Sequence, residues 1–129
     1  MSIGQIVLYG ILVLIASLMA RRYALGRLIV QYSTADVAEK IRDRRDVVLL
    51  DVRTPAERQH RSIKGSMHIP MHELRTRAEE LEKHRNKEVI CYCASGSRSL
   101  SAAALLRKRG FNAANMKGGI AEWNLRDLQ

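Results

Sequence analysis

Of the two cysteines in this 129-residue chain, one stands where chemistry is possible. Cys93-Ala94-Ser95-Gly96-Ser97-Arg98 follows directly on the apolar run Val89-Ile90-Cys91-Tyr92, and a helix-forming run over residues 99–109 comes straight after. A thiol between a strand and a helix sits in a loop that must curl back on itself. Gly96 and its flanking serines suit that path, because small residues tolerate unusual backbone angles. A loop wound ahead of a helix N-terminus turns several backbone N–H groups inward and makes a nest for negative charge. A thiolate or persulfide at Cys93 would rest in that nest, with a pKa pulled below the usual value of about 8.5. The pattern predicts a nucleophilic cysteine in an anion cradle built from Ala94, Ser95, Gly96, Ser97, Arg98 and Ser99.

The neighbouring polar residues are read against that nucleophile. Cys91 lies inside the strand pattern and reads as a small apolar packer. A Cys91–Cys93 disulfide is not expected, since residues two apart in an extended strand lie near the upper limit of Cα separation for a bridge. Arg98 is the loop's one cation; it either binds an anionic donor or braces the loop against an acid such as Asp51. Arg53 reads as the partner of Asp51 or Glu57 in an internal ion pair. The histidines at 60, 68, 72 and 84 lack a tight ligand spacing, so neither a metal nor another cofactor is expected.

Strands alternating with helices are needed to hold these residues. Ser33 or Thr34 caps a helix through Val37, Ala38 and Ile41, with Asp36 at its positive end. Val47-Val48-Leu49-Leu50 is a continuous apolar run of strand length. Thr54 then caps a short helix with Pro55 at its first position. A short strand is expected over 66–69, a helix over 72–84 carrying Leu74, Ala78 and Leu81, and a strand over 88–92. A helix ended by Gly110, a last strand over 112–116 and a final helix over 120–128 containing Trp123 complete the order. This alternation implies an α/β fold, a mostly parallel sheet with helices on both faces. Sites in such folds lie at the carboxyl ends of the strands, where Asp51 and Cys93 both fall.

Residues 3–20 carry no charge, and a helix of that length spans about 27 Å, near the roughly 30 Å hydrocarbon core of a bilayer. Signal peptide, anchor and core helix all compete for it. No positive charge precedes the run, Leu18-Met19-Ala20 is a poor cleavage site, and the run is apolar around its whole circumference; these favour an uncleaved anchor. Arg21, Arg22 and Arg27 follow it, and positive charge marks the cytoplasmic side. The expected placement is a single pass, as in a bacterial inner membrane, with the N-terminus outside and the rest in the cytoplasm. The chain then divides into an anchor (1–20), a juxtamembrane linker (21–32) and one domain (33–129), and a shortened chain starting near Ser33 is expected to stay soluble and active. Tyr23, Leu25, Leu28, Ile29 and Tyr32, interleaved with arginines, read as an interfacial stretch or a plain spacer. The net charge is +9; setting aside those three of the 22 basic residues leaves 19 against 13 acidic. Acids and bases alternate over 79–88 as on a solvated face, so nucleic-acid binding is not expected.

Four segments taken together resemble the rhodanese family of sulfurtransferases, over roughly residues 33–129. They are Asp51-Val52-Arg53-Thr54-Pro55-Ala56-Glu57, Ile63-Lys64-Gly65-Ser66-Met67-His68-Ile69-Pro70, the Cys93 loop, and Gly110-Phe111 through Lys117-Gly118-Gly119-Ile120-Ala121-Glu122-Trp123. The resemblance implies a single rhodanese-like domain in which Cys93 takes a sulfane sulfur from thiosulfate or a persulfide and passes it to a thiol or other nucleophile. Asp51 and Arg53 would support the loop. The chain departs from the family at Arg61 and Ser62, where a Gly-His pair is usual, and at Arg58, where an aromatic is usual. Ala94 and Ser95 are neutral where some thiosulfate-using relatives carry cations, which makes thiosulfate a poor donor here. Two other function classes compete: a catalytically silent module docking a partner at the membrane, and a cysteine phosphatase. Phosphatase loops carry five residues between cysteine and arginine; this loop carries four, from Ala94 to Ser97.

Overall fold

Short apolar runs become the strands of one sheet, and the amphipathic segments between them become its two covering layers. The computed structural model describes residues 1–43 and 46–125. After the long helix α1 (Ile3–Leu28) come β1 (Gln31–Tyr32), α2 (Thr34–Asp43), β2 (Val47–Asp51), α3 (Pro55–His60) and β3 (Met67–His68). Then follow α4 (Leu74–Arg77), β4 (Glu88–Tyr92), α5 (Ser97–Lys108), β5 (Ala113–Met116) and α6 (Gly119–Leu125). The sheet order is β1-β5-β4-β2-β3, with every pairing parallel. The expected α/β class is therefore the observed one.

Period-two alternation along β4 divides the core. Val89 and Cys91 face one layer, with Leu50, Leu74, Leu81, Ala102, Ala103 and Leu106. Ile90 and Tyr92 face the other, with Val37, Leu49, Met116 and Trp123. Each large side chain so buried contributes about 1.5–3 kcal/mol relative to leaving it in water. Both layers together fix β4 in the middle of the sheet, and β4 delivers Cys93.

Local signals act as their chemistry dictates. Ser33 Oγ accepts from Asp36 N–H at 3.1 Å at the start of α2. Thr54 and Glu57 form a reciprocal capping box on α3 with Pro55 at its start. Segment 72–84 differs from the continuous helix expected: α4 is flanked by 3-10 turns at Met71–Glu73 and Ala78–His84. The pairs Arg77–Glu80 and Glu82–Arg85 are spaced i,i+3, which a three-residue turn brings into line. Leu74, Ala78 and Leu81 are buried all the same. The last helix is seen from Gly119 to Leu125; the part expected over 126–128 lies outside the described residues.

The helix α1 is continuous to Leu28, through the stretch read as a linker. Its side chains are exposed from Ile3 to Ala24, and it begins with a Ser2–Gln5 capping box. At its end Leu25 packs against the core and Ile29 is buried in it, while Gln31 and Tyr32 form the sheet's edge strand beside β5.

Candidate functional site

The carboxyl ends of β2 and β4 lie side by side, with Asp51 paired in register with Tyr92. The chain leaves β4 at Cys93, turns through Ala94, Ser95 and Gly96, and enters α5 at Ser97. Gly96 makes the turn possible. Its φ is +98°, and a Cβ there would come within 3.1 Å of Gly118 N, so it supplies both the left-handed angle and the close approach.

The loop is held from outside by its carbonyls, which frees its N–H groups to point inward. Ile120 N–H donates to Cys93 O at 2.9 Å and Ala121 N–H to Ala94 O at 3.2 Å, so the start of α6 grips the loop. Gly119 allows this approach, since any Cβ there would clash with the Ala94 carbonyl. Asn115 Nδ2 donates to Gly96 O at 3.1 Å and also to Gln31 Oε1.

Cys93 Sγ receives Gly96 N–H at 3.1 Å and the Ser99 hydroxyl at 3.3 Å. Burial pushes this thiol's pKa up, but donors from Ser99 (hydroxyl and N–H), Ser95 and Gly96 outweigh it, and the net shift is downward. Cys91 behaves oppositely: burial, reinforced by Cys93, pushes it up to about 12. Ionisation is thus opposed at Cys91 within the strand and favoured at Cys93 just past its end. Ser99 is wholly buried and Cys93 is 1% exposed, so a reagent meets the sulfur only through the loop's mouth. Beside that mouth Ser33, Ser95, Lys117, Gly118 and Glu122 line a depression of about 490 Å³.

Beneath the loop lies a buried polar network. Asp51 is fully buried and accepts from Arg53 Nε at 3.0 Å, Arg53 Nη2 at 2.9 Å and the Arg53 backbone N–H at 2.9 Å. Tyr92 Oη donates to Asp51 Oδ2 at 3.1 Å and accepts from Ile63 N–H at 3.1 Å. Arg58 Nη1 adds a second guanidinium to Asp51 at 3.3 Å and donates to Ser66 Oγ at 3.0 Å. The Asp51–Arg53 pair is thus the internal one the sequence suggests. Through Arg53 Nη2, which also donates to Arg61 O, it ties the end of β2 to the end of α3.

Arg98 takes the bracing role, but against a different acid from the one named above. Its two terminal nitrogens donate to Glu57 Oε1 at 2.7 Å and Oε2 at 2.9 Å, tying the first turn of α5 to α3, while Asp51 is occupied by Arg53 and Arg58. The Arg98 guanidinium, helped by the Thr54 N–H and hydroxyl, outweighs burial and holds the Glu57 carboxyl at about 2. Glu57, Arg58, Tyr92 and Asn115 were not singled out from sequence as site residues. Of these the sequence names Glu57 only as a possible partner of Arg53 and Arg58 only as a departure from the family's usual aromatic. No group of three or more metal-ligating side chains occurs among the described residues.

A parallel α/β domain with a thiol held among amides at the carboxyl edge of its sheet defines a class of cysteine-centred domains. Within that class this chain belongs to the family of Rhodanese-like domains, whose pattern matches residues 33–126. It is 36% identical over 94 residues to a sulfurtransferase of Allochromatium vinosum, covering 72% of this chain and 86% of that protein. A rhodanese-related protein of Thermoplasma volcanium superposes with a TM-score of 0.69 at 36% identity, over 75% of this chain and 92% of the other. A Rhodopseudomonas palustris protein of unknown function, described as a possible tyrosine phosphatase, superposes with a TM-score of 0.77 at 25% identity, over 84% and 89%.

Proposed function

We propose that this protein is a membrane-anchored sulfurtransferase in which Cys93 carries the sulfur. The observation that carries the proposal is the set of hydrogen bonds to Sγ from Gly96 N–H and the Ser99 hydroxyl, which favour the thiolate. The Cys93 thiolate attacks the outer sulfur of a persulfide or of thiosulfate. An S–S bond forms to Cys93, the donor's S–S bond breaks, and a thiolate or sulfite leaves with the bonding pair. The persulfide anion then lies among the loop N–H groups, which stabilise it as an oxyanion hole stabilises developing charge. An acceptor thiolate attacks the outer sulfur in turn, and Cys93 leaves as thiolate. Persulfides are the favoured donors: Ala94 and Ser95 bring no positive charge to the loop, and Arg98, whose charge reaches Cys93, has both terminal nitrogens engaged by Glu57.

The helix α1 supplies the anchor in this reading. Its apolar surface has no protein against it from Ile3 to Ala24, and lipid is the medium that accepts such a surface. The positive charge of Arg21, Arg22 and Arg27 supports a cytoplasmic C-terminal domain, where reductants keep Cys93 reduced.

Intact-mass measurement after exposure to a persulfide donor tests the chemistry. The protein is expected to gain one sulfur atom, removable by cyanide or a thiol, in the parent chain and in Cys91→Ser but not in Cys93→Ser. Hydrolysis of an aryl phosphate by the parent chain, lost in Cys93→Ser, would replace this reading with the phosphatase one. The four-residue spacing from Cys93 to Arg98 argues against that, since a tighter ring suits one sulfur better than a tetrahedral phosphoryl group.

A further inference from the structure

Where α1 meets the domain, a cavity of about 380 Å³ opens between Arg21 and Leu25 of the helix and Met71, Arg75, Ala104, Lys108 and Arg109 of the domain. Its lining divides sharply by chemistry. Leu25, Met71, Ala104 and Leu105 make an apolar floor; Arg21, Arg75, Lys108 and Arg109 supply four cations and no acid lines it. Among the described residues, Arg21, Arg75, Lys108 and Arg109 make no ion pair with a carboxylate; the Arg109 guanidinium donates to the Arg75 carbonyl, at 2.7 Å. Elsewhere on this surface basic residues do find acids, as at Arg77–Glu80, Arg85–Glu82 and Lys40–Glu88. Four exposed cations around one hollow repel one another, and an anion in the hollow relieves that repulsion.

The height of the cavity identifies the anion. Residues 3–20 fill about 27 Å of hydrocarbon, so Arg21 is the first residue beyond it. From Arg21 to Leu25 the helix rises a further 6 Å or so, about the depth of the headgroup layer on one side of a bilayer. A hollow at that level, ringed by four cations, matches the phosphate of a lipid headgroup.

We propose that this cavity is a binding site for the headgroup of an anionic phospholipid. The proposal rests on the reading of α1 as a membrane anchor. A lipid held between α1 and α5 adds a second tie between domain and bilayer, and sets which side of the domain faces the membrane.

The full chain, extracted in mild detergent, is titrated with phosphatidylglycerol or phosphatidylcholine and bound lipid is counted by native mass spectrometry. Phosphatidylglycerol is expected to remain bound preferentially. The double variant Arg75→Gln/Lys108→Gln is expected to lose that preference, by about fivefold in affinity per cation removed. Sulfur uptake by Cys93 is expected to stay unchanged, which reports that the variant is folded. Equal binding of the two lipids, or a preference untouched by the double variant, would overturn the site. Displacement of the lipid by inorganic phosphate or glycerol phosphate would assign the hollow to a free phosphate and overturn the lipid assignment. A parallel arm separates this from the anchor reading: the chain reconstituted in phosphatidylcholine vesicles is extracted with alkali. Release by alkali overturns the anchor and the lipid site together, whereas retention without anionic preference overturns the lipid site alone.

Discussion

Replacing Ser99 by alanine removes one of the donors that hold the Cys93 thiolate and leaves the loop backbone in place. The Ser99 hydroxyl lies 3.3 Å from Sγ in a buried setting, so no water takes over its role. A hydrogen bond to a charged group is worth about 1.5–3 kcal/mol, and sulfur is a weak acceptor, so the low end applies. That amounts to about one pKa unit. The sign follows from the charge: the lost donor favoured the anion, so the midpoint of ionisation moves up. The assay is the rate of alkylation by iodoacetamide against pH, in a Cys91→Ser background so that only Cys93 is read. At a pH below both midpoints the thiolate fraction falls about tenfold. The more basic thiolate is about threefold more nucleophilic, so the net rate drops about threefold and the high-pH plateau rises by a similar factor. An unchanged midpoint would refute the hydrogen-bonded cradle as the source of the depressed pKa.

Two further substitutions probe the supports of the loop. In Glu57→Gln the tie from α3 to α5 loses its charge. The Glu57 carboxyl is held at about 2 against an ordinary 4.5, so its stabilisation is complete above the ordinary value and fades as pH falls toward 2. Because the Arg98 side chain is 40% exposed, solvent screening reduces that contribution to about 1 kcal/mol. Urea unfolding followed by Trp123 fluorescence is expected to show the parent chain losing more than half of this increment between pH 7 and pH 3 and Glu57→Gln lacking it at both; equal midpoints for the two at pH 7 would count against the pair. Tyr92→Phe leaves the Ile63 N–H without its partner and strips a donor from Asp51, at a cost of about 1–3 kcal/mol. Its urea midpoint should fall while the alkylation midpoint of Cys93 stays put, and a shifted alkylation midpoint would mean that the network reaches the thiol.

Strong local patterning made most of this molecule legible in its sequence. Val47 to Leu50 and Val89 to Tyr92 are unbroken apolar runs, and each forms a strand because both faces are covered. The Cys93 loop was readable because its glycine, serines and following helix all serve one turn. What escaped depends on distance or on brevity. Glu57 and Arg98 are 41 residues apart, and Glu57 had a nearer candidate partner in Arg53. The Tyr92 hydroxyl looked like one more core aromatic, since no local rule says that its far end meets Asp51 and Ile63. The strand Gln31–Tyr32 has two polar-capable residues and no periodicity; it is a strand only because β5 lies beside it. In segment 72–84 the burial pattern was right and the helix type was not, because Leu74, Ala78 and Leu81 suit either a 3.6-residue or a three-residue turn.

The placement of Gln31 decides where this protein can be cut. Its amide donates to Gly26 O near the end of α1 at 3.2 Å, and its carbonyl oxygen accepts from the same Asn115 that holds Gly96 O in the Cys93 loop. Trimming the chain to Ser33 would therefore strip more than a membrane tether. It would bare the outer edge of β5, open the core where Ile29 sits, and leave Asn115 without its Gln31 partner. An uncovered parallel edge invites another strand to pair with it, so such a fragment would tend to self-associate, against the solubility expected from sequence for a chain starting near Ser33. A soluble form that keeps its edge strand should begin ahead of Leu25, within the last turns of α1, with the exposed apolar positions of those turns made polar.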